Sequence, residues 1–277
     1  MSAGKVILVG TPIGNLDDMS ERAVQSLRSA DVIACEDTRR TRKLLTHFGV
    51  KPRELLVYND ANEHAQAEVI AARAASGKTV AIVSDAGMPG IADPGYRVVV
   101  ACIDAGVGLE VVPGPSAAIA ALAVSGLPTD RFAFEGFLPR KRSHRIARIR
   151  QLASEPRTVV LYESPHRLEA CLDDLVAELG PRRAALAREL TKLYEEIQRG
   201  TLADLLASIR EHGARGEVVL VIEGGAGVGT APSADELAER ARALMAGGLD
   251  RKQAMAEIAR QAGVSRRAVF DALIDEE

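Results

Sequence analysis

The sequence predicts an α/β protein with two sheet-containing domains and a small helical tail. Three observations carry this reading. Strand and helix patterns alternate from residue 5 to 125, and a second mixed block follows a turn-rich break at 126–130. A glycine-rich run at 224–232 then precedes a stretch with helical periodicity and no strand pattern. A length of 277 residues leaves room for one large domain or two modest ones.

In the first block, short β-branched runs at 6–9, 32–35, 55–58, 80–84 and 109–112 read as strands. Amphipathic segments at 20–29, 39–48, 63–76, 96–105 and 116–125 read as the helices between them. Gly77 and Gly106 stand where two of these helices should stop. A helix in each connection implies a largely parallel sheet. The second block offers strands at 132–137, 158–162, 184–189, 195–200 and 218–223, with helices at 142–153, 167–179 and 201–212. Strand candidates on either side of residues 191–194 follow one another without a helix, which implies a mixed second sheet. The division is therefore 1–128, 129–225, and 226–277. The last part is a flexible linker and helices at 234–246, 251–262 and 265–274.

Composition narrows the function. Apolar residues at 47% and charged residues at 26% exclude wholesale disorder. Five Phe, four Tyr and no Trp argue against a surface of aromatic stacking platforms for single strands. A net charge of −3 argues against a uniformly basic binder, but not against local patches. Cys35, Cys102 and Cys171 lie far apart, with no metal-ligand spacing and no disulfide framework. No run approaches the roughly 18 apolar residues of a membrane span, and the first strand is too short for a signal segment. The expectation is a cytoplasmic protein without a metal.

Three loops at strand ends are the candidate ligand site. The first strand ends in Gly10-Thr-Pro-Ile-Gly-Asn15, which is not a dinucleotide fingerprint and on its own also reads as a plain strand-to-helix turn. The fourth ends in Ser84-Asp-Ala-Gly-Met-Pro-Gly-Ile-Ala-Asp-Pro-Gly95, too elaborate for a minimal connection. The fifth ends in Val112-Pro-Gly-Pro-Ser-Ala117, with Ser116 placed to cap the next helix. Strand ends at one edge of an open α/β sheet are where ligands bind.

These three loops resemble the cofactor loops of the tetrapyrrole methylase superfamily, enzymes that hold S-adenosylmethionine between two α/β domains. Four further motifs occur in order: Cys35-Glu-Asp-Thr-Arg39, Asn62-Glu-His64, Tyr162-Glu-Ser-Pro-His-Arg167 and Ala187-Arg-Glu-Leu-Thr-Lys192. With the helical tail they resemble the ribosomal RNA small-subunit methyltransferase I family. The resemblance implies 2′-O-methylation of a cytidine ribose in the decoding region of 16S ribosomal RNA, within the small ribosomal subunit, by a metal-free homodimer. It also implies that Pro12, Asp85, Ala86, Gly87, Ile91, Ser116 and Ala117 border the S-adenosylmethionine, with Tyr162 closing from the second domain.

A ribose hydroxyl is a poor nucleophile, and a nearby carboxylate or His would help it. Glu36 and Asp37 follow the second strand and precede Arg39, Arg40, Arg42 and Lys43, an arrangement suited to a phosphate-flanked hydroxyl. The same placement serves helix capping by Asp37 or Thr38, with the basic residues on a solvated helix face. His64 is a second candidate base, although a lone His at a helix start is more often a cap or surface group. Arg140, Lys141, Arg142, Arg145, Arg148 and Arg150 form a run with no acid among them, which favours contact with RNA phosphates. Residues 251–270 have helix-turn-helix rhythm, with Gly263 at the turn, Ala259, Val264 and Val269 inside, and Arg266 and Arg267 opening the second helix. A docking helical pair explains that pattern as well.

Two rivals remain at this level. A small-molecule methyltransferase of the tetrapyrrole type shares the cofactor loops but has no need of the basic run. A ligand-sensing regulator with a nucleic-acid-binding tail leaves Glu36 and Asp37 without a purpose.

Overall fold

Alternating β-branched residues build two sheets, each covered by helices on both faces. A computed structural model of the chain describes residues 4–225, 234–262 and 264–274. The expected linker falls mostly, and the turn residue Gly263 entirely, outside the described residues.

The first sheet contains β1 (Lys5–Val9), β2 (Val32–Cys35), β3 (Leu55–Val57), β4 (Thr79–Val83) and β5 (Gly108–Val112). Its order is β3-β2-β4-β1-β5 and every pairing is parallel, as the helix in each connection requires. Ile7, Val9, Ile33, Cys35, Ala81 and Val83 face α1 (Glu21–Ser29) and α2 (Thr38–His47). The alternate residues Val6, Val32, Ala34, Val80 and Ile82 face α3 (Glu63–Ala75) and α4 (Tyr96–Asp104). Nearly continuous apolar strands are what a sheet buried on both sides demands. Among adjacent strands β4, β1 and β5, the order places the three candidate loops side by side.

The second sheet contains β6 (Phe132–Phe137), β7 (Thr158–Glu163), β8 (Arg183–Arg188), β9 (Glu196–Thr201) and β10 (Val218–Ile222). Its order is β6-β7-β10-β8-β9, with β6 and β7 parallel and the other pairings antiparallel, a mixed sheet. On one face lie α6 (Arg142–Leu152), α7 (Pro165–Leu179) and α8 (Leu202–His212). Thr201 and Asp204 close a capping box at the start of α8.

The other face is covered by α5 (Ala117–Ser125), whose Ala118, Ala121 and Leu122 pack on Val160, Ala185, Ala187, Val219 and Val221. The chain therefore passes from one core to the other along residues 113–116, before α5. The turn at 126–130 only carries it from α5 into β6. This crossing puts the end of β5 and the second sheet in direct apposition.

The tail helices α9 (Ala234–Ala246), α10 (Arg251–Ala262) and α11 (Arg266–Ile274) share their own small core, including Leu237, Ala241, Ile258, Val269 and Leu273. Arg266 and Arg267 are exposed at the start of α11.

Candidate active site

The loops after β1, β4 and β5 are stitched together by backbone. Thr11 and Gly87 exchange hydrogen bonds, N–H to carbonyl, at 2.9 and 3.1 Å. Gly10 and Gly114 meet so closely that a Cβ on Gly10 would stand 2.6 Å from the Cα of Gly114. Only glycine permits that approach. The far end of the long loop is clamped by Glu63, whose Oε1 accepts from the Tyr58 hydroxyl at 3.0 Å and from Gly95 N–H at 3.1 Å.

Between these loops and the second sheet lies a cavity of about 340 Å³. Asp85, Ala86, Gly87, Ile91, Ser116, Ala117 and Tyr162, all expected at the cofactor, line it together. Pro12 lines an adjoining cavity of about 290 Å³, which shares Ile13, Arg40, Asp85, Ala86 and Glu217 with the first. The second sheet contributes Phe137, Glu163, Ala187, Leu190 and Val218, and the long loop adds Met88 and Asp93. The sequence singles out none of these individually, although Met88 and Asp93 lie in the long candidate loop, and Glu163, Ala187 and Leu190 belong to two of the four ordered motifs.

Tyr162 is fixed from two directions. Its ring packs edge-on against Phe134 and Phe137, at centroid distances of 5.0 and 5.6 Å. Its hydroxyl accepts the Ala118 N–H at 3.2 Å. Ser116 occupies the N-cap position of α5, yet its side chain makes no capping hydrogen bond. Tyr162 has taken a free amide of that first turn instead, which ties α5 to the second sheet.

The acids are distributed differently from the sequence expectation. Asp37 caps α2, accepting Arg39 N–H at 2.8 Å, and grips the Arg39 guanidinium with both carboxylate oxygens. These contacts hold its carboxyl down to about 2 and it lines neither cavity, so Asp37 is a cap and a weak base. Glu36 lies behind the wall: its Oε1 accepts the Asp85 N–H at 3.0 Å, and burial pushes its carboxyl up. It positions the Asp85 loop. His64 is exposed at the start of α3 and lines neither cavity. Asp85 pairs through Oδ2 with Arg40 at 3.2 Å, whereas its Oδ1 is buried and meets no hydrogen-bond partner. Asp93 is pushed up to about 7 by burial, with Glu36, Asp85 and Asp60 adding to the effect.

The basic run is answered by acids from elsewhere in the chain. Arg145 is buried and donates through Nε and Nη2 to Asp174 Oδ2 at 2.9 and 2.6 Å. Arg142 donates to the other oxygen of Asp174 at 3.0 Å, Arg148 pairs with Glu135, and Arg150 with Glu178. Arg145 is thus buried in an ion pair between α6 and α7. Arg142 is exposed but already engaged. Arg140 and Lys141 are exposed and follow Phe137 at the rim of the cavity, while Arg39 and Arg40 stand on α2. Among the described residues no group of three or more His, Cys, Asp or Glu is arranged to hold a metal. The three cysteines are buried and unbridged, and none of the described helices is long and apolar enough to cross a membrane.

A cleft at parallel strand ends, with an unpartnered carboxylate oxygen and an apolar wall, is where an open α/β sheet binds a small ligand. The sequence pattern of the tetrapyrrole (corrin/porphyrin) methylases matches residues 5–206. A protein named ribosomal RNA small subunit methyltransferase I from Synechocystis sp. is 46% identical over 269 residues, covering 96% of each chain. Its namesake from Escherichia coli is 44% identical, covering 100% of this chain and 96% of that one. Among solved structures, a uroporphyrin-III C-methyltransferase from Thermus thermophilus complexed with S-adenyl homocysteine superposes with a TM-score of 0.54 at 21% identity, covering 79% and 97%. The chain belongs to the tetrapyrrole methylases, and within them to the ribosomal RNA small subunit methyltransferase I family.

Proposed function

We propose that this chain transfers a methyl group from S-adenosylmethionine to 16S ribosomal RNA, at the 2′-hydroxyl of a cytidine in the decoding region. The single observation that carries the reading is the 46% identity, over 96% of both chains, to a ribosomal RNA small subunit methyltransferase I. The cavity fits the cofactor. Asp85 Oδ1 is a buried acceptor in want of a donor. Ile91, Leu190, Met88 and Val218 offer an apolar berth for an adenine ring. Gly87, at φ +83, holds at the wall a backbone conformation that residues with side chains rarely adopt.

S-adenosylmethionine, when bound, supplies a methyl group already activated on a sulfonium. The chain's own residues then have three tasks. Asp85 orients, held by Glu36 through its amide and by Arg40 through its carboxylate. Tyr162, Phe137 and Leu190 exclude water from the cleft. Arg40 and Lys43 line the adjoining cavity; Arg39 and Arg40 are held by Asp37 and Asp85, so Lys43, Arg140 and Lys141 are the cations that offer charge to the phosphates flanking the acceptor nucleotide. Alignment supplies much of the acceleration for an in-line displacement.

The same proposal includes the assembled small subunit as substrate, the cytoplasm as compartment, and a second copy of the chain as partner. Leu193 and Tyr194, 88% and 74% exposed between β8 and β9, suit a dimer contact. The test is incubation with methyl-tritiated S-adenosylmethionine and unmodified small subunits. Label in a single cytidine of 16S RNA is expected. Label only in a small-molecule extract would overturn the reading.

A further inference from the structure

We infer that Asp93, backed by Glu36, is the residue by which this cavity distinguishes the positively charged sulfonium cofactor from its neutral thioether product. The inference rests on the cofactor reading of the cavity and deepens it.

Charges on the cavity wall are unbalanced. Among the described residues four carboxylates line it, those of Asp85, Asp93, Glu163 and Glu217, against one cation, Arg40. Three of the four are answered. Asp85 pairs with Arg40 at 3.2 Å, Glu163 with Arg167 at 3.3 Å, and Glu217 with Lys192 at 3.1 Å. Among the described residues, none with a positive charge pairs with Asp93. Its charged neighbours have its own sign: Glu36 from the end of β2, Asp60 from the segment after β3, and Asp85 from its own loop. Tyr162 from β7 and Ser84 at the end of β4 complete its surroundings with hydroxyls, and Arg40 from α2 is already held by Asp85.

A lined cavity with one unanswered carboxylate is a site that lacks a cation. S-adenosylmethionine and S-adenosylhomocysteine differ in the methyl group and the charge on sulfur, so the surplus acid favours the first over the second. Burial and its acidic neighbours disfavour the charged form and push the Asp93 carboxyl up to about 7. A cation placed among these acids reverses that preference, and the proton passes from the Asp93 carboxyl to solvent. A neutral thioether gives no such reversal. After transfer the sulfonium charge is gone while the ammonium remains, so the acids around the sulfur are less well balanced and the product is held less tightly. Cofactor exchange follows from the same charge balance.

The sign of the linkage is fixed by this scheme. Binding that releases a proton strengthens as pH rises toward the free-state value near 7 and levels off above it. Titration calorimetry on the full-length protein between pH 5.5 and 7, where both ligands keep their ammonium group, reads it directly. S-adenosylmethionine affinity is expected to rise severalfold, on the order of tenfold, across that interval, with no such rise for S-adenosylhomocysteine. Repeating the titration in buffers of different ionisation enthalpy should show proton release for the first ligand and none for the second. In Asp93→Asn the pH dependence of S-adenosylmethionine binding should vanish and its preference over S-adenosylhomocysteine should narrow. The wild-type series decides the matter even if the variant does not fold. Equal pH profiles for the two ligands would overturn the inference while leaving the cofactor site intact. Failure of both to bind would overturn the cofactor reading itself.

Discussion

The loops over the cavity and the basic helix α6 both stand out in the sequence, yet only the loops are placed as their residues suggest. The loops are specified by local backbone demands. Gly10 and Gly114 touch, Thr11 bridges Gly87, and Gly95 hangs from Glu63. The charges of α6 are specified by partners far along the chain: Arg145 meets Asp174 and Arg150 meets Glu178, from α7. A run of one sign in sequence is therefore no measure of free charge in space.

Arg145→Ala puts this contrast under the greatest strain. Asp174 is 2% exposed, and removal of Arg145 leaves it with only the exposed Arg142 as partner. Breaking a buried pair of this kind costs about 3–5 kcal/mol, measurable by urea unfolding. A loss below about 1 kcal/mol, with RNA affinity reduced instead, would restore Arg145 to the RNA surface. Next in size is the pair Arg140→Glu with Lys141→Glu. Stability should hold, while the salt dependence of RNA binding weakens by roughly 0.7–0.9 in log–log slope for each phosphate no longer neutralised. An unchanged slope would mean that these two side chains face only solvent. A still smaller effect is expected for Asp37→Asn. Asparagine caps a helix as well as aspartate does, so turnover on small subunits should stay within about twofold. A collapse of turnover with cofactor affinity intact would return Asp37 to the reaction.

Strand periodicity, helix stops and loop composition make both sheets legible, because each depends on residues within a few positions of one another. Three features are not legible, for different reasons. Helix α5 is apolar almost all round, as Ala117-Ala-Ile-Ala-Ala-Leu-Ala-Val-Ser125 shows, so no polar face announces which sheet it covers. Asp93 looks like one more turn residue in a loop of glycines and prolines. Its importance comes from Glu36 and Asp60, which fold in from two other strand ends. Tyr162 takes the amide that Ser116 is placed to cap, a contact made across the two layers. What the sequence conceals is in each case a partner supplied by topology.

If the glycine-built junction of three loops forms the cofactor pocket, widening that junction must weaken cofactor binding. Calorimetric titration of S-adenosylhomocysteine into wild type and Gly10→Ala tests this. A Cβ at this position would stand 2.6 Å from the Gly114 backbone and force the β1 and β5 loops apart. Overpacking of this size costs about 1–3 kcal/mol. One site per chain is expected in wild type, with affinity reduced at least about tenfold in a variant that still unfolds cooperatively. Equal affinity in the two proteins would contradict the assignment of the pocket.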